Sequence, residues 1–351
     1  MISFYPGPSK VYPQVRQYLL DAYDEDILSI NHRGEKFMFI YENCIKFLKE
    51  KLDIPSNYAI YFTSSATECW EIIAQSFIEK NSTHLFNGSF GEKWFNYTNR
   101  IKADAISIPF DIENELPIDI TIKPTEILCV TQNETSNGTQ VSNVIIKELK
   151  EKYPSSLLAI DITSSIGGVK LPIDKGDIWF GSVQKCLGLP AGLGLMICSP
   201  QAMERAKKIN DHRFYNSILF IDENMQKWQT HYTPNVLGIY LLMRAMENVA
   251  PISDIDKLLK ARSTKWQTYL SSLKTIQPLI ANKETLSSTV WTIKSDEKII
   301  HSIKDHAHKN GIILGNGYGN WKSNTFRIAN FPAIEESEFN VLEKFLTSYC
   351  M

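Results

Sequence analysis

From about residue 55 to residue 200, short apolar runs alternate with stretches of helical spacing, and that alternation leaves few folds open. Tyr58-Ala-Ile-Tyr-Phe-Thr63 reads as a buried strand. It runs directly into a segment where Cys69, Trp70, Ile73 and Phe77 recur at helical spacing. Similar runs follow at His84-Leu-Phe, Ala105-Ile-Ser-Ile, Glu126-Ile-Leu-Cys-Val, Leu157-Leu-Ala-Ile, Ile178-Trp-Phe-Gly and Leu193-Gly-Leu-Met-Ile-Cys. Several are continuous rather than alternating, the pattern of strands covered on both faces. Strands interleaved with helices predict an α/β fold with a mainly parallel, seven-stranded sheet between helical layers.

After about residue 245 the texture changes. A charged helical stretch over Ile255–Leu273 leads to Ser287-Ser-Thr-Val-Trp-Thr-Ile, a helix over Ile299–Asn310, then Gly311-Ile-Ile-Leu and Thr325-Phe-Arg-Ile. This predicts a smaller α+β domain. The Pro-rich N-terminal segment has no room for a core and is expected to pack against it. The expected division is a large domain over 15–245 and a small one built from 1–14 and 246–351.

A chain of 351 residues, 43% hydrophobic, buries a substantial core without staples. Its net charge of −2 gives no reason to expect nucleic acid or an anionic membrane as a partner. No stretch approaches the roughly 20 apolar residues of a membrane span. The start, MISFYPGPSK, lacks the basic residues and apolar core of a secretion signal. Cys44, Cys69, Cys129, Cys186, Cys198 and Cys350 lie far apart with no CxxC pair. They read as reduced thiols of a cytoplasmic protein, and no metal site is expected.

Two residues suggest chemistry. Asp161 ends one predicted strand, and Lys185 follows the next by a few residues, in Gly181-Ser-Val-Gln-Lys-Cys-Leu-Gly-Leu-Pro-Ala-Gly-Leu-Gly. Ligands of open α/β sheets sit outside the carboxyl ends of the strands, so both side chains can face one crevice. A lysine can hold an aldehyde cofactor as a Schiff base and later act as a base. An aspartate beside a pyridine nitrogen keeps that nitrogen protonated. A surface lysine in a Gly-rich loop and a helix-capping aspartate account for the same two residues taken singly.

The lysine segment, with its Gly/Pro-rich turn and following apolar strand, resembles that of the class V pyridoxal-phosphate-dependent aminotransferases. The similarity extends from Tyr5-Pro-Gly-Pro to Phe326-Arg-Ile-Ala-Asn, with the motifs in the family's order. Within the class it is most like the phosphoserine aminotransferases, with alanine–glyoxylate and serine aminotransferases as near relatives. The resemblance implies a fold type I transferase, with Lys185 and Asp161 catalytic.

It assigns the turn Thr63-Ser-Ser-Ala-Thr-Glu to the cofactor phosphate, through Ser65, Ala66 and Thr67. Many relatives carry glycines at Ser64 and Ser65, and an ordinary Ser/Thr helix cap explains the turn as well. Phe90 would stack on the pyridine ring, Thr135 would bond the cofactor's phenolic oxygen, and Gln184 would reach the phosphate. Gln184 also separates the chain from cysteine desulfurases, which place His before the lysine and carry a mobile catalytic cysteine. Tyr232 and Thr233, in His231-Tyr-Thr-Pro-Asn, would cross to the neighbouring subunit's phosphate, implying a homodimer with composite sites.

For the substrate, Arg327 occupies the position of the arginine that clamps the α-carboxylate. His32 and Arg33, in Asn31-His-Arg-Gly-Glu-Lys-Phe, match a segment that reaches the partner's site. A second basic pair, typical of many phosphoserine aminotransferases, would fall near Asn320 and Trp321, where only Lys322 is basic. The expected partners are therefore a small amino acid and a 2-oxo acid. The first expectation is phosphoserine with 2-oxoglutarate. The alternatives are serine or alanine with glyoxylate or pyruvate, or a binding protein that kept the fold and lost catalysis; the last predicts damage at Lys185 or Asp161, and both are present.

Overall fold

The computed structural model describes residues 1–102 and 104–350. Its larger sheet has seven strands in the order Ala59–Thr63, Gly194–Cys198, Ile178–Ser182, Leu157–Asp161, Ile127–Thr131, Ser82–Phe86, Ala105–Pro109. Every neighbouring pair is parallel except those made by Gly194–Cys198, which runs against both of its neighbours. The four strands that lie between Ala59–Thr63 and Ser82–Phe86 are buried at every position, as their unbroken apolar runs require.

The helix Ala66–Ser76 starts two residues beyond the first of these strands. Ser65 caps it from extended backbone, its hydroxyl accepting from the Glu68 amide, a contact worth about 1 kcal/mol. Cys69, Trp70, Ile72 and Ile73 are buried against the sheet. Helices Val15–Asp24 and Glu35–Lys51 both pack on Val236–Asn248 at one side of the molecule. All six cysteines are buried and free, with Cys129 and Cys198 on strands of the large sheet.

A second sheet has the order Ile2–Phe4, Ile312–Asn316, Thr325–Ala329, Val290–Lys294, Gln277–Pro278. Its first strand comes from the N-terminus and lies parallel to Ile312–Asn316. Its own core is centred on Trp266 and Trp291, stacked with centroids 5.6 Å apart, with Phe339 at the edge of Trp266. Helices Ile252–Ser272, Glu297–Lys309 and Glu336–Cys350 cover it. No helix is long and apolar enough to cross a membrane among the described residues.

Candidate active site

Where the parallel strands end, their last residues and the loops beyond them enclose a cavity of about 210 Å³. Asp161 closes its strand opposite Thr131 and Phe180. Its Oδ1 accepts from the Thr163 amide at 2.8 Å and from the Thr163 hydroxyl at 2.6 Å. Burial raises the Asp161 pKa above the ordinary carboxylate value, against these hydrogen bonds and the Lys185 charge.

Lys185 follows the strand Ile178–Ser182 and is buried, its Nζ donating to Thr135 Oγ1 at 2.6 Å and lying 5.3 Å from the Phe90 ring centroid. Burial pushes the amine down to about 8, while the Asp161 and Glu134 carboxylates pull it back up. The N-terminal segment straps this loop: the Ser9 amide donates to Gln184 O and the Tyr12 amide to Gly188 O, both at 2.9 Å. Gly7, at φ +146°, lies so close that a Cβ would meet Lys185 Cε at 3.0 Å.

At the opposite wall stands the N-terminus of the helix Ala66–Ser76. First-turn amides have no acceptor within their own helix. The Ser65 and Ser182 hydroxyls take those of Glu68 and Ala66, and Ser65, Ala66, Thr67 and Gln184 line the cavity. Phe90 is carried by the helix Ser89–Ile101, whose preceding residue, Gly88, offers no side-chain cap. Glu134 caps it instead, its buried carboxylate accepting from the Phe90 and Gly91 amides at 3.1 Å and from the Ser136 amide and hydroxyl. Burial raises the Glu134 pKa.

A second cavity of about 420 Å³ adjoins the first, and Gly7, Phe90, Thr135 and Lys185 line both. Its far wall includes Arg327, Tyr318 and Lys322. Arg327 is buried in the strand Thr325–Ala329, donating Nε to Asn316 O and Nη1 to Thr135 O, each at 2.7 Å. Those bonds use two of the five guanidinium donors and leave three. Burial lowers the Arg327 pKa, opposed by Tyr5, Glu134 and Tyr318.

Nine of the sequence-nominated residues thus gather at two contiguous cavities: Ser65, Ala66, Thr67, Phe90, Thr135, Asp161, Gln184 and Lys185 at the first, Arg327 at the second. His32, Arg33, Tyr232 and Thr233 line neither. Arg33 Nη1 donates to Gln229 Oε1 at 3.0 Å, two residues before His231. Sequence reasoning passed over Gly7, Pro8, Thr131, Asn133, Thr163, Ser182, Glu134 and Tyr318 as site residues. The motif Tyr5-Pro-Gly-Pro was a signal for the first two, since an extended Pro-rich segment has nothing of its own to pack on.

These residues suit pyridoxal phosphate. The helix N-terminus takes a phosphate, and the buried Asp161 carboxylate suits a protonated ring nitrogen. The Thr131 hydroxyl, buried at the cavity wall, has no hydrogen-bond partner among the described residues, as befits a group whose partner is a ligand.

The aminotransferase class-V family profile matches residues 6–320. Phosphoserine aminotransferase from Corynebacterium glutamicum (strain R) is 29% identical over 353 residues, covering 96% of this chain and 91% of that protein. The crystal structure of a phosphoserine aminotransferase from Cytophaga hutchinsonii superposes with a TM-score of 0.95 at 34% identity, covering 99% of this chain and 98% of the other. Alanine–glyoxylate aminotransferase from Nostoc sp., at 18% identity and a TM-score of 0.83, shares the fold. The chain belongs to the class V aminotransferases, pyridoxal-phosphate-dependent transferases of amino groups between amino acids and oxo acids.

Proposed function

We propose that this chain is a phosphoserine:2-oxoglutarate aminotransferase. One observation carries the reading: Lys185 stands in the wall common to two cavities, one fitted to the cofactor and the other reaching the buried Arg327. The phosphoserine aminotransferases among its relatives cover nearly its whole length.

Lys185 would carry the cofactor on its amine, the Ala66–Ser76 helix N-terminus and Gln184 its phosphate, and Asp161 the proton of its ring nitrogen. Pyridoxal phosphate supplies an electron sink that weakens the bonds at the substrate α-carbon. Arg327 binds the α-carboxylate through its free guanidinium donors, the fork that such a planar anion needs. With its amine free, Lys185 would take the substrate α-proton. An amine depressed to about 8 is neutral often enough near physiological pH to do so. Thr135 accepts from the lysine Nζ and holds it at the boundary of the two cavities. Phe90 and Tyr318, stacked with centroids 5.1 Å apart, both line the larger cavity beside Lys185.

The proposal includes a homodimer with composite sites. Leu20, Tyr23, Leu28 and Phe39 are large apolar side chains left exposed on the N-terminal helices and the turn between them, a surface suited to burial against a second copy. His32, Arg33, Tyr232 and Thr233 would reach the partner's cavities from that surface. Serine or alanine as donor is a second reading, favoured by Asn320 and Trp321 at the position where relatives carry a basic pair.

Borohydride treatment of the purified protein should bleach the cofactor's near-visible absorbance and leave the cofactor covalently attached at Lys185, and Lys185→Ala should abolish the attachment. Half-reactions with phosphoserine, serine, alanine and glutamate then compare donors. Equal rates for serine and phosphoserine would refute the substrate assignment and leave the cofactor assignment standing.

A further inference from the structure

The loop between Asn316 and Thr325 carries a cation to the substrate cavity by a route that its sequence does not advertise. Trp321, at the position expected to be basic, is half-buried and turned away from the cavity, packing on the apolar patch of Leu279, Ile280 and Leu286. Asn320 is exposed and lines neither cavity. Anchoring Trp321 presents the next residue, Lys322, to the cavity that holds Arg327. The loop is also pinned at its other end. Gly319, at φ +53°, sits where a Cβ would fall 2.3 Å from Ser89 Oγ, a position that favours glycine. Tyr318 lies flat on Phe90, and its hydroxyl accepts from Lys93 Nζ at 2.5 Å. The Lys93 ammonium is also 4.9 Å from the Tyr318 ring centroid.

Two cationic residues therefore line the cavity, the buried Arg327 and the exposed Lys322. A substrate with anions at both ends matches it. We propose that Lys322 and Tyr318 receive the distal anion of the substrate, the phosphate of phosphoserine or the side-chain carboxylate of glutamate, with Lys93 positioning Tyr318. This inference rests on the donor assignment proposed above and places within one subunit a charge that the missing basic pair would have supplied.

Lys322 is exposed, so its replacement leaves the core intact. In the dimeric holoenzyme, Lys322→Gln should lower the ratio of kcat/KM for phosphoserine over serine about tenfold, the scale of one charge-assisted hydrogen bond. It should also raise KM for glutamate, and Lys322→Arg should restore most of both. Tyr318→Phe should raise KM for phosphoserine about threefold with little change in kcat, a loss of the order expected for one exposed polar contact. Lys298→Gln, an exposed residue at the start of the helix Glu297–Lys309 that lines neither cavity, serves as the control.

An unchanged donor ratio together with an unchanged glutamate KM in Lys322→Gln would overturn the proposal. So would an equal fall in kcat/KM for phosphoserine and serine, which would mark Lys322 as a prop of the loop. If the wild-type enzyme does not prefer phosphoserine to serine, the donor assignment fails by itself. The glutamate KM of Lys322→Gln then decides the inference alone: a rise supports it, and no change overturns it.

Discussion

Asp161→Asn separates the charge at the base of the site from its structural part. The Thr163 amide and hydroxyl both donate to Oδ1 of Asp161. An asparagine of the same shape keeps that oxygen and both of these bonds, so no cavity opens. What disappears is the negative charge that would hold the cofactor's ring proton. Buried groups placed at developing charge contribute about 3–4 kcal/mol, so the half-reaction should slow by roughly 10²- to 10³-fold. Stability should move the other way. Burial raises the Asp161 pKa in the folded state. Such a group supports the fold below its unfolded pKa and loses that support as pH rises through the folded value. At neutral pH and above, the buried anion thus weighs on the cofactor-free fold, and asparagine removes the burden. The attraction to Lys185 opposes this while the amine is charged, so the comparison belongs near pH 9, above the Lys185 value of about 8. There the cofactor-free variant should melt no lower than wild type. Stopped-flow absorbance and calorimetry provide the two readings. A half-reaction within about threefold of wild type, or a melting point that falls along with the rate, would refute the reasoning.

Arg327→Lys should keep a cation in the strand and lose the fork, raising KM for every amino-acid donor about 10- to 100-fold with a smaller effect on kcat; steady-state kinetics across donors checks this. Cofactor uptake by the cofactor-free protein should accelerate as pH rises through about 8, because the neutral Lys185 amine is the nucleophile, and stopped-flow absorbance against pH reads it. Arg33→Ala and Lys185→Ala should each be impaired with phosphoserine, yet mixed subunits should regain activity. Half of randomly paired dimers then hold one intact composite site, giving about a quarter of wild-type turnover.

The alternation of apolar runs with helical spacing was enough to predict the large sheet, because a strand covered on both faces must be apolar along its whole length. Asp161 and Lys185 were legible for a related reason. Each follows a predicted strand, and strand ends define the crevice of an α/β sheet. The direction of Gly194–Cys198 was not legible, since a buried strand has the same composition whichever way it runs. Glu134 looked like one polar residue in a turn. Its role as the cap of the helix bearing Phe90 depends on a contact 44 residues away in sequence. The same holds for Tyr318 against Phe90 and for the N-terminal strap over the Lys185 loop.

Trp321 shows the limit most clearly. In the sequence it displaces an expected basic residue and removes charge from the substrate pocket. In the structure its indole packs on Leu279, Ile280 and Leu286, and Lys322 lines the cavity. Local periodicity, strand ends and ordered motifs, which depend on neighbours along the chain, determined the layers, the family resemblance and the lysine. Which charges meet at the substrate was decided only by the tertiary structure, because burial and pairing there come from segments brought together by the two sheets.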